Sequence, residues 1–346
     1  MSAEMRAAVY HAAGDIRIER IPRPRRADDE ILVRVLRSGL CGTDVTEWRV
    51  GPVMIPLETR HPHSGHQGPM VPGHEFIGEV VEAPAGSPFA VGTRVASGAQ
   101  VFCGECRRCA QGRYNICERL YTLGLNAPGG HAEYVAGPPR SFVPIPPDLP
   151  LDVAGLAQPL AVGLHAARRA QARAGDRVLV SGAGAIGSFV LVSLRHLVPD
   201  LRITVVDVDP AKLERSRRLG ADETASPEQL ADHDAFDLSI EASGAPGTLA
   251  ACIHRTAVGG RVLAVGMPPG DVSLPVHELV LHEITLETTV ALVTPEDIPV
   301  ALEILGGTGL ADELLDSVRP LSEIAATLDE LAAGQISGKV LLDPGR

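Results

Sequence analysis

A glycine-rich turn between a strand-like run and a helix-like run constrains this fold most. The turn reads Gly182-Ala-Gly184-Ala-Ile-Gly187 and follows the apolar, β-branched run 177–181. In such a turn the first glycine allows the tight bend, the second lets backbone approach a pyrophosphate, and the third allows close packing of helix on strand. The pyrophosphate would lie at the helix N-terminus, where free N–H groups and the helix dipole favour an anion. The turn predicts a dinucleotide-binding unit.

The chain around this turn has the alternation of a parallel sheet. Strands are predicted at 177–181, 202–207, 237–241, 261–265 and 285–289, with helices between most of them, including 188–197 and 210–219. One long helix is predicted at 152–172, before the first strand. Strands that alternate with helices indicate a doubly wound parallel α/β sheet.

Asp207 ends the second of these strands, twenty residues beyond Gly187. A carboxylate there accepts a hydrogen bond from the adenosine ribose 2′-OH and repels a 2′-phosphate, so the position favours NAD(H) over NADP(H). Lys212 is a second candidate for the ribose. The alternative is a structural turn followed by a solvated aspartate.

The first 150 residues have a different pattern. Short runs of β-forming residues at 6–10, 31–36, 76–81, 94–96 and 132–135 are separated by Gly and Pro. This pattern predicts an all-β, barrel-like unit. A length of 346 residues is enough for two domains, and 45% hydrophobic residues can fill two cores. Helix-like stretches follow residue 293, and a final strand at 339–342 is expected to return to the first unit.

Four of the six cysteines lie in one short loop, at positions 103, 106, 109 and 117. Four thiolates at this spacing suit a closed tetrahedral zinc site that holds the loop in place without catalysing a reaction. Four unrelated buried thiols are the simplest alternative. An iron–sulfur cluster is the chemical alternative, but the bacterial ferredoxin pattern has a shorter last gap followed by Pro, whereas Glu118 follows here.

The charge excludes several classes of function. The net charge of −12 repels phosphate backbones, and no basic run offsets it, so nucleic acid is not an expected partner. No apolar stretch is long enough to cross a bilayer, and the N-terminal residues do not resemble an export signal. A cytoplasmic protein that binds neither membrane nor nucleic acid is therefore expected.

A second metal site is suggested by Cys41, His74 and Glu75. Cys41 follows the predicted strand 31–36 and lies beside Thr43 and Asp44, while His74 and Glu75 begin the strand at 76–81. A His–Glu pair alone is more often structural. With Cys41 it offers the mixed sulfur, nitrogen and oxygen ligands of a catalytic zinc ion with an open position.

These motifs, taken together, resemble the zinc-dependent medium-chain alcohol and polyol dehydrogenases essentially end to end, and the segment 51–76 looks most like the 2,3-butanediol dehydrogenase branch. In order they are Cys-Gly-Thr-Asp (41–44), Gly-His-Glu (73–75), the four-Cys loop, Gly-Gly-His-Ala-Glu-Tyr (129–134) and the glycine-rich turn. The resemblance implies an α/β chain with a GroES-like β-rich catalytic domain and a Rossmann domain. It places the catalytic domain at 1–154 and 293–346, with a structural zinc lobe at about 97–120, and the NAD-binding domain at 155–292.

The resemblance also implies roles for individual residues. Cys41 and His74 would bind the catalytic zinc, with Glu75 as a direct ligand or as a neighbour that exchanges with one. Thr43 would pass the alcohol proton toward the nicotinamide ribose, and Asp44 would orient His74. The structural zinc would be bound by Cys103, Cys106, Cys109 and Cys117. The expected dinucleotide contacts are Gly182, Gly184, Ala185, Ile186, Gly187, Asp207, Lys212, Val265 and Lys339.

Two positions depart from the family pattern. Gln158 stands where relatives usually carry Glu, and Thr46 stands where they commonly carry the His of the proton relay. One hypothesis is that zinc is retained by Cys41, His74, Glu75 and the Gln158 carbonyl, with a more electrophilic metal. The opposing hypothesis is that this site binds zinc poorly.

The expected function is that of a zinc-dependent oxidoreductase that transfers a hydride between a secondary alcohol or vicinal diol and NAD. The alternative is a zinc-poor or non-catalytic NAD-binding relative. A zinc-independent quinone or enoyl reductase is disfavoured, because such relatives generally lack both the Cys–His pair and the four-Cys lobe. The expected partners are a small alcohol or ketone substrate and further copies of the chain, in a homodimer or homotetramer.

Overall fold

A computed structural model describes residues 4–233, 235–268 and 270–346, so residues 1–3 of the expected first domain lie outside the described part. The chain forms two compact units. The first comprises Met1–Gln158 together with Val293–Arg346, and the second comprises Pro159–Leu292. The sequence places the corresponding boundaries at 154–155 and 292–293, and the assignment of the two domains remains a prediction.

The N-terminal part of the first unit consists of short strands and short helices. Its elements are β1 (Glu4–Ala12), β2 (Asp15–Pro22), β3 (Ile31–Gly39), α1 (Gly42–Val50), β4 (Glu75–Glu82), β5 (Arg94–Ser97), β6 (Gln100–Val101), α2 (Arg107–Ala110), β7 (Tyr121–Thr122), β8 (Tyr134–Gly137), β9 (Phe142–Pro144) and α3 (Leu151–Ala154). Single 3₁₀ turns occur at Tyr114–Ile116 and Pro139–Ser141.

The second unit alternates strands and helices. Its first helix, α4 (Ala157–Ala170), begins two residues before the boundary at Pro159 and so starts within the first unit. The elements that follow are β10 (Arg177–Ser181), α5 (Ala185–Leu197), β11 (Arg202–Val206), α6 (Pro210–Arg218), β12 (Glu223–Ala225), a 3₁₀ turn (Gln229–Asp232), β13 (Phe236–Glu241), α7 (Thr248–His254), β14 (Thr256–Ala264), α8 (Val276–Leu281) and β15 (Thr285–Thr288).

The chain then returns to the first unit. The returning elements are α9 (Thr294–Gly307), α10 (Leu310–Leu314), β16 (Leu315–Pro320), a 3₁₀ turn (Leu321–Glu323), α11 (Ile324–Ala332) and β17 (Lys339–Asp343). Strand β17 pairs antiparallel with the end of β3, which confirms that the last strand rejoins the first unit. The helix-like stretches after residue 293 are α9, α10 and α11.

A mixed sheet in which β3 is central organises the first unit. The strand order is β16-β17-β3-β4-β5-β9, and β8 also pairs with β3. Because β3 has partners along both edges, its side chains are largely buried, and Ile31, Val33 and Val35 pack with Phe76 and Val80 of β4. Two small sheets, β1-β2 and β6-β7, complete the strands.

The all-β prediction for residues 5–150 overlooks α1. Helix α1 lacks the apolar stripe that usually reveals a helix, because its buried residues are Asp44 and Glu47. Glu47 accepts hydrogen bonds from the amides of Val53, at 2.9 Å, and Met54, at 2.5 Å, so the carboxylate is satisfied by backbone. Hydrogen bonds between a helix side chain and the loop that follows the helix leave no periodic signal in the sequence.

The second unit has the predicted doubly wound parallel sheet. Its strand order is β12-β11-β10-β13-β14-β15, with all pairs parallel. The order reverses between β10 and β13, which is where such sheets bind dinucleotides. The glycine-rich turn directly follows β10. The fold class, a β-rich unit joined to a Rossmann unit, is confirmed.

The single helix predicted at 152–172 is wrong, because the structure has two helices. Helix α3 ends at Gly155, where a Cβ atom would lie 2.6 Å from the Leu341 side chain. In one continuous helix Pro159 would have no N–H to donate to the carbonyl of Gly155, and its ring would clash there. Restarting the helix at Ala157 puts Pro159 in the first turn, where no N–H is required.

Replacing Leu191 by Ala should destabilise the second unit, because Leu191 is fully buried on α5 among the side chains that cover the sheet. We expect a loss of about 2–5 kcal/mol in the free energy of unfolding. Leu197→Ala, on the same helix but 37% exposed, should cost less than about 1 kcal/mol. Urea unfolding followed by circular dichroism checks this, and equal losses for the two variants would contradict the packing described.

Candidate functional site

Pairing of β3 with β4 brings three predicted metal ligands together. Gly39, at the end of β3, lies opposite Glu75, at the start of β4. Cys41 follows β3 and His74 precedes β4, and the ligand atoms of Cys41, His74 and Glu75 all lie within 4.8 Å of one another. A Cβ atom at Gly39 would lie 2.6 Å from Glu75 Oε2, so a larger residue there would displace the carboxylate.

The start of α1 fixes the backbone at Cys41. Asp44 Oδ2 accepts a hydrogen bond from the Cys41 amide at 2.8 Å, as in an N-terminal capping arrangement. The hydroxyl of Thr43 lies 3.9 Å from Cys41 Sγ. The other oxygen of Asp44, Oδ1, lies 3.8 Å from His131 Nε2. The described side-chain contacts of Asp44 are thus with Cys41 and His131, and its predicted orienting of His74 remains a prediction.

The surroundings of His74 fit a metal ion. Its Nδ1 is buried and has no hydrogen-bond partner among the described residues. Burial alone would lower the pKa of His74, but the negative charges of Cys41, Asp44 and Glu75 outweigh burial and raise the pKa to about 9. The anionic groups that would keep the imidazole of His74 protonated are also groups whose charge a divalent cation can neutralise. A thiolate, an imidazole and a carboxylate are zinc ligands.

Lys339 lies in this same cluster. Its Nζ donates to the Leu40 carbonyl at 2.6 Å and forms an ion pair with Glu75 Oε2 at 2.5 Å. Burial tends to lower the pKa of Lys339, but the charges of Glu75 and Cys41 outweigh it, so the pKa is raised. The lysine is therefore a buried cation beside the metal ligands. Its predicted contact with the cofactor pyrophosphate has no support in these contacts and remains a prediction.

The four-Cys loop forms a second cluster within the first unit. The Sγ–Sγ distances are 3.5 Å for Cys103–Cys117, 3.8 Å for Cys106–Cys117 and 3.9 Å for Cys103–Cys109. Four sulfurs at 2.3 Å from one zinc ion in tetrahedral geometry lie about 3.8 Å apart. All four thiols are free of disulfides, and their ligand atoms lie within 4.8 Å of one another. These distances fit a closed zinc site.

Backbone amides prepare this cluster for metal. The amides of Glu105 and Cys106 donate to Cys103 Sγ at 3.5 and 3.3 Å, and the amide of Arg119 donates to Cys117 Sγ at 3.3 Å. The amide of Glu105, first, and that of Cys106, together with the side chains of Cys117 and Cys106, lower the pKa of the Cys103 thiol to about 6, against the opposing effect of burial. Since thiolates rather than thiols bind zinc, the loop favours the metal-binding form of Cys103.

The glycine-rich turn has the geometry that its sequence predicts. Gly182 has φ +104°, in the region that favours glycine, and Gly187 packs so closely that a Cβ atom would overlap the Gly182 carbonyl. Gly184 has no neighbour within 4 Å of such an atom, so its backbone is open to a ligand. Ala185 and Ile186 begin α5, a helix of 13 residues.

Asp207 lies against this turn. Its Oδ2 accepts a hydrogen bond from the Ala183 amide at 2.7 Å, and its Oδ1 accepts one from Asp209 at 3.0 Å. The Ala183 carbonyl accepts a hydrogen bond from Arg215 Nη2 at 2.9 Å. Arg215 is buried on α6, and the sequence analysis overlooked it, because a basic residue in a charged helix is normally interpreted as exposed.

The remaining predicted residues lie on separate elements. Lys212 is half-buried on α6, and Val265 directly follows β14. Gln158 is buried at the start of α4. Thr46 is exposed on α1, and its hydroxyl donates to the Gly42 carbonyl at 3.0 Å. Their roles in cofactor or metal binding remain predictions.

Comparison with known proteins identifies the family. Residues 27–147 match the alcohol dehydrogenase GroES-like domain, and residues 185–306 match the zinc-binding dehydrogenase domain. L-threonine 3-dehydrogenase from Sinorhizobium medicae is 33% identical over an alignment of 284 residues that covers 78% of this chain and 78% of that protein. The chain belongs to the zinc-dependent medium-chain dehydrogenases.

Solved structures agree with this family. 2R,3R-butanediol dehydrogenase from Bacillus subtilis superposes with a TM-score of 0.89 at 28% identity, covering 98% of this chain and 99% of that one. A zinc-binding dehydrogenase from Sinorhizobium meliloti bound to NADP has a TM-score of 0.87 at 26% identity, covering 99% and 100%. This chain is thus a nicotinamide-dependent dehydrogenase that uses zinc and acts on a small molecule. The alternative of a non-catalytic relative is not supported.

Within the residues that the structure describes, none of the helices of this dehydrogenase combines the length and the apolar composition that crossing a membrane requires.

Replacing Cys109 by Ser should remove the metal from the four-Cys cluster, because a closed site with three thiolates loses most of its affinity. We expect the zinc content to fall by about one ion per chain and the melting temperature to drop. Cys252→Ser, at a buried thiol outside both clusters, is the matched control and should keep its zinc. Elemental analysis after gel filtration checks this, and an unchanged zinc content in Cys109→Ser would count against the structural site.

Proposed function

We propose that this dehydrogenase oxidises a secondary alcohol or vicinal diol at a zinc site formed by Cys41, His74 and Glu75, with NAD⁺ as the hydride acceptor. The convergence of these three ligands carries the proposal. Zinc bound there would supply a Lewis acid that lowers the pKa of the substrate hydroxyl. The names of two relatives, L-threonine 3-dehydrogenase and 2R,3R-butanediol dehydrogenase, support a substrate with a secondary hydroxyl group.

The fourth ligand in this proposal is the side-chain carbonyl of Gln158. Relatives with a glutamate at this position bring one more negative charge to the metal, so Gln158 would leave a more electrophilic ion. Two roles are open to Glu75, that of a permanent metal ligand and that of a ligand that exchanges, because its Oε2 also forms an ion pair with Lys339 Nζ at 2.5 Å. We propose that Glu75 is the ligand that exchanges, because the ammonium group of Lys339 stabilises the carboxylate when it is not on the metal.

The alcohol proton leaves through Thr43 in this proposal. The Thr43 hydroxyl lies 3.9 Å from Cys41 Sγ and is therefore next to the metal ligands. At position 46, a threonine whose hydroxyl donates to the Gly42 carbonyl replaces the imidazole of the usual relay. The proton would therefore pass from Thr43 and the cofactor ribose directly to water.

The dinucleotide is held by the glycine-rich turn and Asp207 in this proposal, with Lys212 and Val265 as further contacts. Family membership alone does not choose between NAD and NADP, because the relative from Sinorhizobium meliloti binds NADP. The carboxylate of Asp207 beside the Ala183 amide supports NAD(H), since it would repel a 2′-phosphate.

We also propose that the dehydrogenase is a homodimer or homotetramer. Strand β15 is one of the two edge strands of its sheet, and an edge strand invites pairing with another chain. Close in sequence to this strand, Val276, Val280 and Leu281 are more than half exposed, at 60%, 69% and 65%. We place the protein in the cytoplasm, because a reducing compartment keeps the cysteines of both clusters as thiols.

Assays with NAD⁺ and a panel of secondary alcohols, diols and hydroxy acids test the function directly. NADH should form with at least one substrate, and the wild-type chain should carry about two zinc ions. Cys41→Ala should lower the rate by about a thousandfold or more, because the Lewis acid contributes several kcal/mol to the barrier. Cys252→Ala should keep its activity. About one zinc ion per wild-type chain, with no NADH from any substrate, would refute the proposal.

Replacing Asp207 by Ser should relax the choice of cofactor. We expect the ratio of kcat/KM for NAD⁺ over NADP⁺ to fall by about 10- to 100-fold, because the variant loses an acceptor for the 2′-OH and no longer repels a 2′-phosphate. Asp209→Ser is the matched control, since Asp209 caps α6 and serine can do the same. Steady-state kinetics with both cofactors measure this ratio. An equal ratio in wild type and Asp207→Ser would show that Asp207 does not bind the ribose.

A further inference from the structure

His131 is a fully buried histidine that the proposed reaction does not use. Its side chain has no exposed surface, and its Nδ1 lies 2.8 Å from the Ser38 hydroxyl. The ring packs against the backbone of Gly73, where a Cβ atom would lie 2.5 Å from Nδ1. The His131 amide donates to the Pro72 carbonyl at 2.9 Å, and its carbonyl accepts from Ala8 at 2.8 Å. The ring is therefore held in one position.

Two buried polar atoms face each other across this site without bonding. His131 Nε2 and Asp44 Oδ1 are 3.8 Å apart, which is beyond the 2.7–3.2 Å of an N–H···O hydrogen bond. Neither atom has a hydrogen-bond partner among the described residues, and the two residues are 0% and 4% exposed. Leaving a buried polar atom without a hydrogen-bond partner costs about 1–3 kcal/mol, so we expect a third group to bind both of these atoms.

A small cavity lies at this pair. Its volume is about 10 Å³, which is about the space that one buried water needs. Asp44, His131, Tyr10 and Glu47 supply the polar part of its wall. The remaining lining residues are apolar, namely Ile16, Ile55, Pro72, Ile324 and Leu328.

We propose that one buried water bridges His131 Nε2 and Asp44 Oδ1, and that His131 acts through it as a positioning residue for the metal-binding loop. The Ser38 hydroxyl donates to Nδ1, which leaves the proton of the neutral ring on Nε2. Nε2 donates to the water, and the water donates to Asp44 Oδ1. Each atom then has a partner of the correct polarity.

The bridge continues to a metal ligand. Asp44 uses its other oxygen, Oδ2, to accept the hydrogen bond from the Cys41 amide at 2.8 Å. The water and His131 therefore fix the carboxylate that fixes Cys41. This consequence rests on the proposed function, because Cys41 is a metal ligand only under that proposal. Outer partners of this kind typically change metal affinity by about 10- to 100-fold when they are removed.

A high-resolution crystal structure of the wild-type holoenzyme tests the water. We expect one ordered water within hydrogen-bond distance of both His131 Nε2 and Asp44 Oδ1. A direct hydrogen bond between these two atoms, or a cavity without an ordered water, would overturn the bridge.

Zinc retention tests the positioning role. Holoenzyme would be exposed to a chelator for timed intervals and its remaining zinc measured. His131→Phe should lose one of its two zinc ions about tenfold faster than wild type, because it cannot donate to the water. His131→Gln, which places an N–H donor near the position of Nε2, should restore retention to within about threefold of wild type. The exposed His196→Phe is the control and should match wild type.

The outcomes separate the two proposals. Retention in His131→Phe equal to that of wild type overturns the positioning role, whether or not the water is present. If His131→Phe does not fold, Ser38→Ala removes only the hydrogen bond that orients the ring and takes its place. If wild type carries about one zinc ion, the proposed function fails. The position of Asp44 in crystals of His131→Phe then becomes the readout, and an unmoved Asp44–Cys41 hydrogen bond overturns the inference.

Discussion

The antiparallel pairing of β3 with β4 is the interaction on which the candidate site depends. It sets Gly39 opposite Glu75. Cys41, which follows β3, and His74, which precedes β4, are thereby brought close to each other and to Glu75. A shift of one residue would turn every side chain of the strand to the other face of the sheet. The pair is flanked on both sides, because the other edge of β3 pairs with β8 and β17 and the other edge of β4 pairs with β5. The placement of the candidate ligands is thus set by the sheet as well as by the loops that carry them.

The two candidate metal clusters differ in how the chain assembles them. The four cysteines lie within fifteen consecutive residues, so local turns and their own backbone amides bring the sulfurs together. The Cys41 cluster joins parts of the chain that are remote in sequence, and it includes Lys339 from the last strand. The first cluster therefore depends mostly on local geometry, while the second depends on the complete sheet.

Much of this architecture could be predicted from the sequence, and the exceptions have physical causes. The glycine-rich turn and the alternation of strands and helices are local signals, and they predicted the parallel sheet and its turn correctly. The cysteine spacing is also local; the four sulfurs lie together, and their binding of zinc remains a prediction. Helix α1 escaped detection because its buried residues are Asp44 and Glu47, whose carboxylates accept hydrogen bonds from nearby backbone amides. The break between α3 and α4 follows from Pro159, a local signal that the prediction of one long helix did not take into account. The surroundings of Lys339 and His131 could not be foreseen, because their partners lie far away along the chain.

The return of β17 to the sheet of the first unit has a consequence for biosynthesis. A ribosome releases the whole second unit before it releases β17, so that unit can fold while the first unit still lacks a strand beside β3. Until then Glu75 lacks the ammonium group of Lys339, and the edge of β3 at Ser38 and Gly39 stays open to other nascent chains. The order in which the chain is made thus delays completion of the candidate metal cluster until β17 has left the ribosome.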